Sequence, residues 1–530
     1  MLARNTAPGS SARVSNRALI KPLPHRSVRC PKPVARSVSA RGRASDDVLA
    51  ADVVIVGAGI VGLFTAQELL RHRLSVLVLE KKGLCAGATG AGQGYLWMAH
   101  RAPGSVGWAL AARSVALWRR QVQADEAFRA AVEWQDCGSL LVSTAPEESA
   151  ALSERQLALN GVGLRASYLD PPRLAQLEPG LVPPQGGAGL MVESDLQING
   201  RAAAHALLQR CREAPGFGDV MGPEAEVLGL ELATAPGGGH VVRTPGRRVH
   251  ARHGLVLSAG VWTGGLLSAA TGHPGWAALL QPRRGHLLEM PQPAGMPRVT
   301  HGMMEMSYTK HYASSASASH TAARAVAPPA APSSSSPASS SSPASSSSSP
   351  SELADITFTA TTSASGSLLI GSSRESGVWD TTPSPAIVAA ILQRAALFLP
   401  GLKPAAAAAA AATAAAASDG IVGGGGGGAL AGLSVRVGLR PYAVGGLPLV
   451  GPVEGAPGIF VAAGHEGSGL CMGPATGELL GRYIRKHVGA SAAATTGSSG
   501  GGGGDGGAGL DTRSFQELLP DVRRRAAAAP

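Results

Sequence analysis

Arg440 lies in the stretch VGLRPYAVGGLPLVGP, Val437 to Pro452, among apolar residues, glycines and prolines, and the nearest acid is Glu454. A guanidinium in such a setting can hold an anion through two parallel hydrogen bonds, or it can be an ordinary charge at a strand edge. A second group with chemical potential sits near the other end of the chain. Gly57, Gly59 and Gly62 give G-x-G-x-x-G, and Glu80 follows 18 residues after the last glycine. Backbone N–H groups in such a turn can cradle a pyrophosphate, and the acid can accept hydrogen bonds from both hydroxyls of a ribose.

These residues need particular elements to position them. Val53 to Val56 form an unbroken β-branched run, the pattern of a strand buried on both faces. From Ile60, the apolar residues Leu63, Phe64, Ala66 and Leu70 recur at helical spacing, and LSVLVLE then reads as a second buried strand ending on Glu80, with Lys81 behind it. Gly57 permits the tight turn, Gly59 lets backbone approach a pyrophosphate, and Gly62 allows close helix–strand packing. This strand–turn–helix–strand–acid unit predicts dinucleotide binding, without separating FAD from NAD. An acid at position 80 disfavours NADP.

Composition limits how much of the 530 residues can fold. Residues 1–48 carry ten Lys and Arg and only two acids, with abundant Ser, Ala and Pro, the profile of an organelle transit peptide. The chain has 46 basic and 35 acidic residues; without residues 1–48 the balance is 36 against 33, which excludes a nucleic-acid-like charge excess. Three further stretches, 313–351, 404–431 and 489–508, are dominated by Ser, Ala, Pro or Gly and read as disordered insertions or tail. The remaining 395 residues suffice for two interleaved domains. The five cysteines are scattered without C-x-x-C spacing, so neither a metal site nor disulfides are expected. The longest apolar stretch is interrupted by glycines, Thr65, Gln67 and Glu68, so no membrane span is expected.

Further blocks follow. GATGAGQG is a glycine-rich loop after the second strand, LVLSAGVWT contains a buried strand, and GIFVAAGHEGSGLCMGPATGELL reads as strand, turn and helix. In this order, and with GLRPYAVGGLPLVGP, the chain resembles the D-amino-acid oxidase family of FAD-dependent oxidoreductases, which includes glycine and sarcosine oxidases. The segments GATGAGQGYLWMAH, RRGHLLEM, HGMMEMSY and VRVGLRPY look like those of its plant and algal branch. QPRRGHLLEM is similar to the family's P-x-R-G-Q strand, with His286 replacing glutamine.

The resemblance implies FAD, held by Gly57, Gly59, Ile60, Gly62, Glu80 and Lys81 at the first turn. Ala88, Thr89 and Gln93 would lie along the pyrophosphate and flavin, and Val227 and Gly260 at the adenosine. Gly464, Gly467, Ser468, Gly469 and Leu470 would aim a helix N-terminus at the flavin's pyrimidine edge. With no cysteine in SVRVGLRPYAVGG, the FAD is expected to be non-covalent. Arg440 would pair with a substrate carboxylate, although the second arginine that some members place after the GH turn is absent, Gly467 and Ser468 standing there. Tyr308 and His465 are further catalytic candidates, His465 equally able to order its turn; Arg284, His286 and Arg374 are secondary. The implied partner is a small amine or amino acid, oxidised at its C–N bond.

The expected fold is α/β, a Rossmann-type FAD-binding domain interleaved with an α+β substrate domain on a mostly antiparallel sheet. Residues 49–130, 190–265 and 432–488 are assigned to the cofactor domain, and 131–189 and 266–403 to the substrate domain. A dehydrogenase using another acceptor than O₂, or a low-turnover assembly flavoprotein of an organelle complex, are the competing expectations. The leader points to the chloroplast, with the mitochondrion as alternative.

Overall fold

The computed structural model describes residues 49–233, 239–309, 354–419, 430–496 and 510–528. The expected leader 1–48, the insertion 313–351, and the parts 420–429 and 497–508 of the expected low-complexity stretches 404–431 and 489–508 lie outside the described residues, whereas 489–496, expected as tail, continue a helix that runs to Thr496. What is described contains two eight-stranded sheets and a small two-stranded one.

The first sheet is built on β1 (Leu49–Val56), which pairs in parallel with β2 (Val76–Glu80) on one side and β4 (Arg247–Leu257) on the other. β3 (Phe217–Met221) extends it in parallel beyond β2, and β9 (Ile459–Ala463) beyond β4, while β8 (Leu449–Pro452) closes the edge antiparallel. Strand β1 is buried on both faces, as its β-branched run predicts: Val53 and Ile55 join one core cluster, Val54 and Val56 the other. Helices α1 (Ile60–Arg71), α2 (Val106–Ala124), α3 (Gly200–Glu213) and α6 (Gly469–Thr496) form the layer over the first of these faces.

The packing of α6 on α1 is unusually close. Gly473, Gly477 and Gly481 recur every four residues along α6, and a Cβ on them would meet Phe64 Cδ2 at 2.9 Å, the Phe64 carbonyl oxygen at 2.7 Å and Glu68 Cγ at 2.8 Å. Pro474 lies inside α6 and has no N–H to return to the carbonyl four residues back, that of Leu470. That carbonyl instead accepts from Trp118 Nε1 at 2.9 Å, and Trp118 in turn packs edge-on against Phe64 at 4.9 Å. A helix interruption has thereby become a tie between α2 and the first turn of α6.

The second sheet contains β5 (Leu280–Met290), β6 (Leu368–Ser376) and β7 (Ser434–Ala443), followed by the strands Asp355–Thr362, Gly302–Glu305, Ser139–Val142, Gly189–Val192 and Ala166–Leu169. All its pairings are antiparallel except that of 302–305 with 139–142. Two assignments change. Strand β7, which carries Arg440, pairs with β5 over ten residues and belongs to this sheet instead of the cofactor sheet. Gly189–Val192 likewise joins the second sheet, so the crossover falls a few residues later than expected.

The polyalanine stretch also departs from expectation. Residues 404–419, expected to be disordered for want of an apolar stripe, lie in helix α5 (Lys403–Asp419), beside α4 (Pro385–Phe398). Ala405, Ala406 and Ala409 are buried in the same cluster as Ile391 and Leu392. Methyl groups suffice as a stripe when the facing helix supplies the aliphatic bulk. At the far end, residues 510–528 were given no role by the sequence, yet Phe515 and Leu518 are buried against the α1–α6 core and Arg523 donates to the Val444 carbonyl at 2.6 Å.

Candidate active site

A cavity of about 480 Å³ runs from the C-terminal end of β1 to the face of the second sheet. Fourteen of the sixteen residues expected to hold the cofactor line it; Gly62 and Gly464 do not. Gly62 serves packing instead: a Cβ there would overlap the Gly57 carbonyl oxygen at 2.2 Å. Gly464, at φ +82°, turns the chain, and a Cβ there would meet Ala443 Cβ at 2.7 Å.

At the nucleotide end, Gly57 has φ +111°, and a Cβ would sit 2.5 Å from the Ser258 carbonyl oxygen, so neither the backbone angle nor the space admits a side chain. Glu80 accepts from the Ala58 and Lys82 N–H groups at 3.1 and 3.0 Å, which fixes its carboxylate at the end of β2. Thr89 Oγ1 accepts from the Ile60 N–H at 3.1 Å and ties the glycine-rich loop to the start of α1. Lys81 pairs with Glu226 at 3.2 Å and lies 5.9 Å from the Trp262 ring. Val227, Gly260 and Trp262 complete this end.

Neither α1 nor α6 carries an acid in its first turn, so the positive dipole ends of both helices are left for an anion. Two such helix ends, an anchored acid and a turn that at Gly57 admits no Cβ fit FAD. Among the lining residues the sole cysteine is Cys85, whose thiol is raised by burial.

The other end is formed by β5, β6, β7 and the turn before α6. Gln93 bridges it to the glycine-rich loop, accepting from Thr359 Oγ1 at 2.8 Å and donating to the Leu369 carbonyl at 3.4 Å. Arg440 Nη1 donates to the Ser373 carbonyl at 2.9 Å, and no carboxylate among the described residues pairs with it. Its guanidinium lies over Gly285 of β5, where an added Cβ would be 2.4 to 2.5 Å from Nη2, Cζ and Nη1 alike. Gly438 allows β7 to pass Ala91, whose Cβ is 2.6 Å from where a Cβ on Gly438 would be.

His465 lines the cavity, but its Nε2 is 2.9 Å from Thr476 Oγ1. That hydroxyl donates to the Met472 carbonyl, so the imidazole is the donor and holds the turn against α6. Burial pushes His465 down to about 4, so it is neutral near pH 7. His286 is also neutral, pushed to about 4 chiefly by burial. Its Nε2 accepts from the Ser384 N–H at 3.1 Å, which puts the proton on Nδ1, 3.0 Å from Ser373 Oγ. Tyr308 is buried in the wall with the Arg374 guanidinium 4.9 Å from its ring. Arg284 takes both oxygens of Glu375 and stays out of the lining.

Two lining residues carried no signal in the sequence. Arg101 is buried, with Nε donating to the Trp97 carbonyl at 3.1 Å and Nη2 to Ser468 Oγ at 3.0 Å. Glu466, in the turn before α6, meets Arg283 at 2.8 Å and Arg374 at 3.5 Å. Its carboxylate is thus neutralised from behind.

Fold and cavity define a flavin-dependent oxidoreductase, and the FAD dependent oxidoreductase family model matches residues 52–483. The chain belongs to that family. The chain is 22% identical to the glycine oxidase of Geobacillus kaustophilus over 437 residues, 82% of this chain and 93% of that one. The crystal structure of that enzyme superposes with a TM-score of 0.60, covering 83% of this chain and 95% of the other at 21% identity. L-proline dehydrogenase from P. horikoshii gives a TM-score of 0.58 at 17% identity, with 83% and 94% covered. The FAD-bound L-α-glycerophosphate oxidase of Mycoplasma pneumoniae gives 0.56 at 15%, with 82% and 95% covered.

Proposed function

We propose that the protein oxidises the C–N bond of a small amino acid or secondary amine that carries a carboxylate. One observation carries this reading: Arg440 presents a guanidinium to the cavity with only a backbone carbonyl as partner among the described residues, on a floor kept open by Gly285. A fork of N–H donors left in that state suits a bidentate carboxylate. FAD, when bound, supplies a hydride acceptor. Arg440 fixes the substrate's carboxylate, and with it the direction of the Cα–H bond; Tyr308 and Met304 wall the cavity against water. Because His286 and His465 are neutral, neither adds a cation that would repel a substrate ammonium. The substrate ammonium first gives a proton to water; the neutral amine then loses a hydride from Cα, which bound FAD would accept, and the resulting iminium takes up water after release. The names of the glycine oxidase and L-proline dehydrogenase support an amine substrate.

The test is anaerobic bleaching of the flavin band with a panel of amino acids and secondary amines, followed by O₂. Bleaching by a carboxylate-bearing amine, lost in Arg440→Met with FAD retained, is expected. Absence of bleaching by every amine would overturn the reading in favour of an assembly role, and bleaching without reoxidation by O₂ would mark a dehydrogenase. For location, the basic, acid-poor residues 1–48 support import into a chloroplast, the mitochondrion being the alternative. A fusion of 1–48 to a fluorescent protein, imaged in cells, tests this; cytosolic fluorescence would refute it.

A further inference from the structure

Helices α1, α2, α3 and α6 border a second cavity, open to solvent and of about 530 Å³, lined by six arginines: Arg71, Arg113, Arg120, Arg210, Arg482 and Arg485. The arginines sit on one edge of each helix, Arg113 and Arg120 two turns apart on α2, Arg482 and Arg485 three residues apart on α6. Two carboxylates face them. Glu478 takes Arg113 through both oxygens at 2.8 and 2.9 Å, and Glu68 takes Arg71 at 2.8 Å. A third acid, Asp125, holds Arg210 at 2.5 Å. Six cations therefore meet three carboxylates, and setting Arg485 aside still leaves a surplus of two.

Convergent like charges in a concavity raise its potential and attract an anion. Arg482 shares Glu478 with Arg113, its Nη2 lying 3.8 Å from that carboxylate, so one acid serves two guanidinium groups. Phe64, Leu117 and Pro474 give the rest of the wall an apolar character. We propose that this cavity binds a small ligand carrying two or more phosphoryl groups. Guanidinium forks match phosphate oxygens pairwise, and the charge of a diphosphate, between about −2 and −3 near neutral pH, matches the surplus. Such a ligand would grip α1 and α6, the two helices whose first turns face the cofactor cavity.

The experiment is titration calorimetry of the FAD-saturated enzyme with inorganic pyrophosphate, so that the cofactor cavity cannot take the probe. Saturable one-to-one binding is expected, and Arg120→Ala and Arg482→Ala should each weaken it about tenfold. Arg120 is exposed, so its variant tests the site without disturbing the fold; an unchanged Tm without pyrophosphate checks this. No saturable binding, or wild-type affinity in both variants, would overturn the proposal. So would an equal response to sulfate and sodium chloride at matched ionic strength. Binding to phosphatidylglycerol vesicles that disappears in the same variants, with no response to pyrophosphate, would replace it with a membrane surface.

Discussion

Gly285→Ala is the sharpest test of the way Arg440 is held. Gly285 does not have positive φ, so alanine fits the backbone there without strain. The methyl would meet three guanidinium atoms at 2.4 to 2.5 Å, whereas ordinary contact begins near 3.4 Å. All three atoms are equally close, so the plane lies face-on and rotation within it gives no relief. The group must lift by about 1 Å, which lengthens and bends the hydrogen bond from Nη1 to the Ser373 carbonyl, now 2.9 Å, and displaces the whole donor fork. Because the colliding atoms end a flexible side chain, the cost to stability is small. The cost to alignment is not: a 1 Å misplacement of a positioning group is worth about 10²-fold in rate, or ~2.7 kcal/mol. Stopped-flow reduction of the flavin under anaerobic conditions should show kcat/KM for a carboxylate-bearing amine reduced about 10²-fold, with Tm and FAD content near wild type. The reasoning fails if the variant stays within threefold of wild type. It fails equally if amines lacking a carboxylate lose as much.

Gly57→Ala combines a backbone angle of +111° with a 2.5 Å clash against the Ser258 carbonyl, and neither partner can swing away. A cost of about 3 kcal/mol or more is expected, with FAD lost on gel filtration and Tm down by several degrees; a yellow variant of wild-type Tm would contradict it. For pH, His286 and His465 fall to about 4 in the fold against 6.5 for the free side chain, so below pH 6.5 the unfolded chain binds more protons and stability drops as pH falls towards 4. Asp195, raised to about 6 by burial, and Glu305, also raised by burial, oppose this, while the lowered His100, His240 and His487 add to it, so the histidines outnumber the opposing carboxyls five to two. Thermal melts from pH 7 to 4.5 should show a falling Tm, and a rising one would refute the assignment.

Residues whose role depends on local geometry were legible in the sequence. G-x-G-x-x-G between two buried strands, with Glu80 at the end of the second, needs only neighbouring residues to specify a turn, a helix end and an acid. Arg440 was legible as an odd charge in an apolar strand, but its sheet was not. SVRVGLRPYA alternates as any strand does, and its partner β5 lies far upstream, so pairing alone decides membership. The polyalanine helix was missed because its stripe exists only relative to the bulk of α4. Arg101 and Glu466 belong to no pattern, each being meaningful only through groups brought in from elsewhere, Ser468 for one, Arg283 and Arg374 for the other.

The glycine seam between α1 and α6 has a consequence for how such a chain can be recombined. The two helices come from opposite ends of the sequence, yet their separation is set by the Phe64 carbonyl resting where any side chain at 477 would be. A chimera that took its N-terminal half from one relative and its C-terminal half from another would inherit two surfaces fitted to different partners. A helix pushed outward by a single methyl would carry the turn of His465 to Leu470 with it. Grafts meant to alter substrate preference should therefore exchange β5 to β7 and leave α1 and α6 from a single parent.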